Sequence, residues 1–570
     1  MRVIIDRTLQ LTAVIVAAGT WSVAAQQIAA PQVTPQDLRD GLKDASRWLT
    51  YSGDYTNQRH SPLTQITPEN VHRLTAQWAF QTDTLGKFEA TPLVVDGIIY
   101  ITGPLDTGWA LDARTGRQLW RYRRELPSGL IACCGLVNRG YGVLGDRLFK
   151  TTLDAHVMAI SMKTGAMIWD TVMENYRNGY SATAAPLVVK DKVIVGMAGA
   201  EYGVRGFVDA YDAQTGKRNW RFFTTAGPDD PGHSTWRGMD AKAWEKGGGS
   251  TWATGAYDPE LNLVYWGTGN AGPDYDGSAR EGDNLYTASI VALDADTGRL
   301  RWHYQFTPHD VWDWDSTQNP VLADLTIGGQ PRKVVMFANR NGFFYLLDRA
   351  TGQLIRGKPF IETSWAKEIQ ADGRPMLLPN SIPSEDGTRV CPDQSGGTNW
   401  MPPSFDKALG LLFVTARESC GIFYTWKDDY NPGDSYRGGA VQRVGDRQYS
   451  ALRAIDVASG ERRWDFPYAS QSWAGVAVDR LGPGVRRRLG QLHGVRRAHG
   501  KESLAFSDWI RPVRGSDHLH GRWPPVRPAA LRHHADGLRA VRCFQLILCG
   551  EAATVDEADR KQTIGTMTKH

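Results

Sequence analysis

Cys133 and Cys134 stand side by side in LIACCGLVNRGYG (130–142), in a chain with only 6 cysteines. Neighbouring α-carbons across a trans peptide are about 3.8 Å apart, whereas an ordinary disulfide spans at least about 4.4 Å. A bond between these two sulfurs closes a small strained ring, and such strain needs a reason. Two reduced, buried thiols are the other reading of the pair. Cys391 and Cys420 could form a second, ordinary bridge across a loop, while Cys543 and Cys549 lie in the C-terminal tail. No C-x-x-C-H haem-attachment motif occurs in the chain.

The elements that must position such a pair are announced by a repeat. ALDARTGRQLW (110–120), AISMKTGAMIW (159–169), AYDAQTGKRNW (210–220), ALDADTGRLRW (292–302) and AIDVASGERRW (454–464) share one template, and LLDRATGQLIR (346–356) is a copy without the tryptophan. Each reads as strand, tight turn, strand. Asp and Thr bond the turn backbone, and Gly takes positive φ. Further strand signals, such as TPLVVDGIIYITG and APLVVKDKVIVGMAG, precede several copies. Four-stranded units of this length predict an all-β β-propeller in which most of the 21 tryptophans wedge between neighbouring blades. The 60 glycines suit many short strands and tight turns.

The first residues, MRVIIDRTLQLTAVIVAAGTWSVAAQQ, read as a secretory signal peptide over 1–25, cleaved near Ala24 and Ala25. Asp6 is atypical there, and an uncleaved anchor is the alternative. Export would permit disulfides. The body has no apolar run long enough for a membrane span.

The repeat stops after SQSWAGV (470–476), and residues 477–570 carry 17 Lys+Arg against 9 Asp+Glu, leaving the body mildly acidic. A basic tail of this kind could suggest nucleic acid or membrane contact. The genetic code points elsewhere. Back-translated and read one nucleotide later, HGKESLAFSDW permits TGKNLWHFQT, and LGQLHGVRRA permits GNFMAFDAR: another copy of the repeat. The tail therefore reads as an out-of-frame translation, without a nucleic-acid role, and the last blade is expected to be missing or disrupted. A genuine basic disordered tail is the alternative.

KFEATP, ACCGLVNRG, SATAAP, GMAGAEYGVRG, GGGSTWATGAYDP, YWGTGN, TPHDVWDWD and NRNGFFYLLD, in that order, resemble the pyrroloquinoline quinone (PQQ)-dependent alcohol dehydrogenases. The resemblance runs from about residue 35 to 476, implying a PQQ-binding, quinoprotein-type eight-bladed β-propeller over 26–476. In that family the adjacent cysteines form a vicinal disulfide lying on one face of the quinone. Cys133–Cys134 would then be the ceiling of the site, and Trp252 its floor.

By the same resemblance Arg139 would grip a cofactor carboxylate, and Arg340 would bond the quinone oxygens and stabilise charge on reduction. Glu89, Thr183, Gly199, Ala200, Ser250 and Asn399 match further cofactor contacts, with an ordinary turn or surface role open for each. Glu201, Asn270 and Asp313 fall at the family's metal-ligand positions and offer hard oxygen donors, suited to Ca²⁺ and not zinc. Asp315 resembles the lanthanide-dependent branch, since three carboxylates match a trivalent ion; a solvated loop aspartate is the alternative.

The implied reaction is metal-assisted oxidation of a small primary alcohol, with Asp313 as general base and PQQ carrying the redox chemistry. A separate periplasmic cytochrome c would accept the electrons, and a homodimer stays open. A PQQ enzyme for sugars or polyols, a cofactor-free propeller scaffold and an inactive frameshifted product are the rival readings.

Overall fold

The computed structural model describes residues 32–67, 70, 73 and 75–479. The signal-peptide segment, Cys543, Cys549 and nearly all of the inferred out-of-frame tail lie outside them. Five four-stranded antiparallel meanders follow one another along the chain. The first is Leu93–Val95, Ile98–Thr102, Gly108–Asp112 and Gln118–Tyr122. The second to fifth begin at Gly142, Leu187, Ala256 and Val321 and end at Val172, Phe223, Gln305 and Pro359. A sixth, five-stranded sheet is built on the long hairpin of Leu411–Thr425 and Gly439–Asp456. The succession of sheets is that of a β-propeller. Among the described residues no helix is long and apolar enough to cross a membrane.

The D-x-x-T-G turns form as their composition predicts. Asp212 Oδ1 accepts from Gln214 N at 3.1 Å, Thr215 N at 2.8 Å and Thr215 Oγ1 at 2.7 Å. Gly216 takes φ +72°, and a Cβ there would come 2.7 Å from the Trp169 ring of the preceding sheet. The same fit recurs between Gly298 and Trp220 and between Gly352 and Trp302, at 2.5 Å each. The indoles also donate across the gap: Trp120 Nε1 to Met162 O at 2.8 Å, and Trp220 Nε1 to Ala295 O at 3.3 Å. The expected wedge is thus one turn glycine under one neighbouring tryptophan. Where the preceding sheet is the copy without a tryptophan, Gly460 meets its Lys358 and Arg356 instead.

A stretch with no repeat character ties the sheets together. Along residues 48–58, Trp48 pairs with Val94 and the Tyr55 hydroxyl donates to Val188 O at 2.8 Å. Tyr257 N, Leu322 N and Phe405 N donate to the carbonyls of Tyr55, Thr56 and Gln58, at 3.1, 2.8 and 2.9 Å. This segment engages the first, third, fourth, fifth and sixth sheets.

Topology decides where chemistry can be placed. In an antiparallel meander, the entry to the first strand and the link between the second and third strands lie at one end. The first–second and third–fourth turns lie at the other. The D-x-x-T-G turns are third–fourth turns. Every residue singled out as a ligand or cofactor contact in the first five sheets lies in an entry segment or a second–third link.

Candidate active site

Cys133 and Cys134, in the connection between the first two sheets, are joined as a disulfide with their α-carbons 3.8 Å apart. Cys134 adopts φ +71°, a region few side chains tolerate. Cys391 and Cys420 form the second disulfide. Oxidised sulfur is no metal ligand, so the placement of a Glu201 carboxylate oxygen within 4.8 Å of both sulfurs locates Glu201 against this ring. Glu201 sits on a short turn, Ala200–Tyr202, that follows Gly199 at φ +118°.

Five residues past Cys134, Arg139 is held by its neighbours. Asn138 Nδ2 donates to Thr151 O at 2.9 Å, anchoring the backbone beside it. Arg139 donates to Glu89 Oε2 at 2.5 Å and to Thr183 Oγ1 at 2.6 Å. Its guanidinium lies 4.6 Å from the centroid of the Trp252 ring. Arg139 Nε is buried and has no hydrogen-bond partner among the described residues. Burial raises the Glu89 carboxyl above its ordinary range, against the pull of Arg139.

The WDWD segment leads into the fifth sheet without forming a strand of its own. Trp312 and Trp314 are buried in the core and stack, ring centroids 5.0 Å apart, while Asp313, at φ +59°, and Asp315 turn to polar partners. Asp310 Oδ1 braces the segment by accepting from the backbone N–H groups of Trp312 and Trp314, at 3.0 and 3.3 Å. Asp315 accepts from Trp252 Nε1 at 3.0 Å, Arg340 at 2.6 Å and Asn270 N at 3.1 Å. Asp313 accepts from the Tyr275 hydroxyl at 3.3 Å and lies 3.7 Å from Arg340. A Cβ at Gly269, in YWGTGN, would run into Asp315 Oδ1 and Ser250 Oγ, which is why a glycine precedes Asn270.

Direct contacts therefore gather Glu89, Arg139, Thr183, Trp252, Asn270, Asp313, Asp315 and Arg340, with Ser250 adjoining through Gly269. Asn399 spends its amide on its own loop, on Ser395 O and Trp400 N at 2.9 Å each. Only its neighbour Trp400 reaches Arg139, at 5.9 Å. Four residues escaped the sequence reading: Asp274, Tyr275, Gln394, whose Oε1 lies 2.8 Å from the Tyr275 hydroxyl and whose carbonyl accepts from Arg340 Nε at 2.9 Å, and Arg437. Asp274 follows Asn270 by four positions in GNAGPDYDG, an oxygen-donor spacing that could have drawn notice. Arg437 sits in the link between the two long strands of the sixth sheet and carries no signature. Its side chain runs from Asp274 (3.9 Å) to Cys133 Sγ (4.0 Å) and so joins the two halves of the site.

The electrostatics show what the arrangement can hold. Burial pushes Glu201 up, Asp313 well up and Asp274 up to about 7, and the negative charge of neighbouring carboxylates, Asp315 among them, raises these three further. Arg340 and Arg437 offset this only in part. Carboxylate oxygens and one amide, buried at Asn270, Asp274 and Asp315 and half-buried at Glu201 and Asp313, fit a hard cation of high charge. The free Arg139 Nε beside the half-buried Trp252 ring fits a flat anionic cofactor.

Residues 48–364 match the family profile of the glucose/ethanol/alcohol dehydrogenase β-propeller domain (PQQ). The chain is 40% identical to the quinohemoprotein alcohol dehydrogenase ADH IIB of Pseudomonas putida over 494 residues, 82% of this chain and 71% of that protein. It is 36% identical to the lanthanide-dependent methanol dehydrogenase of Methylacidiphilum fumariolicum over 468 residues, 76% of each chain. A solved europium-containing methanol dehydrogenase superposes with TM-score 0.74 at 35% identity, covering 78% of this chain and 82% of that one.

Proposed function

The chain belongs to the PQQ-dependent alcohol dehydrogenase family, and from that premise we propose that it oxidises primary alcohols to aldehydes in the periplasm. The electrons pass to a separate cytochrome c. The observation that carries this reading is the continuous path of contacts from the Cys133–Cys134 ring, through Arg437 and Asp274, to Asn270, Asp315, Trp252 and Arg340.

Arg139, Arg340 and Trp252 would hold PQQ, which would supply the two-electron oxidising chemistry when bound. Glu201, Asn270, Asp313 and Asp315 would hold a lanthanide or Ca²⁺ ion, which would supply Lewis acidity when bound; the charge of Asp315 would favour the lanthanide. Asp313 takes the hydroxyl proton of the alcohol. Its burial raises its proton affinity, which suits a general base, while Tyr275 and Arg340 hold its two oxygens in place. Trp252 keeps water from one face of the site and, through its indole N–H, orients Asp315.

The sheets are read as blades of an eight-bladed propeller whose closing blade the out-of-frame tail does not supply. An unclosed propeller exposes strand edges and invites aggregation, so the chain as written is expected to be poorly active. Deleting the inserted base should restore PQQ-dependent dye reduction with an alcohol in the presence of La³⁺ or Ca²⁺. A repaired protein that binds PQQ and either ion yet oxidises no alcohol would refute the reaction. Equal activity before and after repair would refute the reading of the tail.

A further inference from the structure

Asp274 has no part in the repeat, yet it is fully buried, at 0% exposure, beside the candidate cation ligands. Its Oδ1 accepts from Asn270 Nδ2 at 2.8 Å. The same Nδ2 donates to the backbone carbonyl of Ala271 at 3.1 Å, and a carbonyl can only accept, so the Asn270 amide turns its NH₂ toward Asp274 and its carbonyl oxygen away. Among the described residues Oδ2 has no hydrogen-bond donor; the nearest cation, Arg437 Nε, is 3.9 Å away. A bare buried oxygen next to further carboxylates costs stability unless something positive completes it.

We infer that Asp274 is a positioning residue of the cation site: it aims the Asn270 carbonyl oxygen at the ion and adds a fourth carboxylate that favours a trivalent over a divalent ion. This rests on the cation reading above. The selectivity follows from Coulomb's law, because one fixed negative charge attracts a 3+ ion half again as strongly as a 2+ ion at the same distance.

The test is tryptophan-sensitised emission of Tb³⁺, titrated alone and against competing Ca²⁺, on the full chain and on Asp274→Asn, Asp274→Ala and Glu201→Ala. Asp274→Asn removes the charge but keeps an acceptor for Asn270. It should weaken Tb³⁺ binding roughly tenfold and Ca²⁺ binding less, narrowing the preference. Asp274→Ala also frees the Asn270 amide and should weaken both ions. The metal-free melting temperature of Asp274→Asn should rise, and the further rise on adding Tb³⁺ should shrink. An unchanged Tb³⁺-to-Ca²⁺ ratio in Asp274→Asn, with Glu201→Ala losing Tb³⁺, overturns the inference alone. Unchanged Tb³⁺ binding in Glu201→Ala overturns the cation reading beneath it. Should Asp274→Asn melt lower than the parent and gain as much from Tb³⁺, the inference fails as well.

Discussion

The two ends of the sheets use the same residue types to opposite effect. At the turn end, Asp112 and Asp212 receive two backbone N–H groups and a threonine hydroxyl from their own turns. Those bonds, the Thr115 and Thr215 hydroxyls first, lower their carboxyl pKa values. At the other end, Glu201, Asp274 and Asp313 are pushed up by burial. Asp274 Oδ2 has no hydrogen-bond donor at all among the described residues. An aspartate completed by its own turn stabilises the fold; one left incomplete by everything nearby marks a place for something else.

Substitutions at the two ends should separate these roles. The largest effect is expected from Asp313→Ala, which should cut turnover of the repaired, reconstituted protein by roughly 10²–10⁴-fold while PQQ absorbance shows the cofactor retained. Asp315→Ala comes next: it should shift the metal preference from La³⁺ toward Ca²⁺ by about tenfold or more. A variant that still prefers La³⁺ in activity titrations would remove the charge argument.

At the turn end, Gly216→Ala meets both a positive φ and the Trp169 ring. It should cost about 2 kcal/mol or more in denaturant unfolding, with activity per folded molecule unchanged. Asp212→Ala, whose orphaned N–H groups can turn to water, should cost only about 1 kcal/mol.

The smallest effect is one of sign with pH. Asp274 holds its proton up to about 7 when folded but only to about 4 when unfolded. The metal-free fold therefore loses stability through Asp274 as pH rises across that window. Melting temperatures of the parent and Asp274→Asn should converge toward pH 4 and diverge toward pH 7. Asp212, with its carboxyl lowered, should do the reverse: its contribution is present at neutral pH and lost as pH falls below about 4. Equal slopes for both substitutions would contradict the contrast between the ends.

Much of this was written locally. The repeat, the D-x-x-T-G turns and the tryptophan wedges depend on alternation and on contacts a few residues apart, so the amino-acid order alone predicts them. Cys133–Cys134, Glu201 and Asn270 were legible through the resemblance of their motifs to a known family. Residues 48–58 were not, because their hydrogen bonds reach carbonyls and amides of five sheets up to hundreds of positions away. Nor were Asp274 and Arg437: an acid in a glycine-rich link and an arginine in a hairpin loop look like solvated residues until the sheets converge. Sequence set the parts and the end of each sheet at which they emerge. Only the packing of the sheets against one another brought Glu201, Asp274, Asp313 and Asp315 close enough for their charges to act on one another, and that is where their charge acquires its meaning.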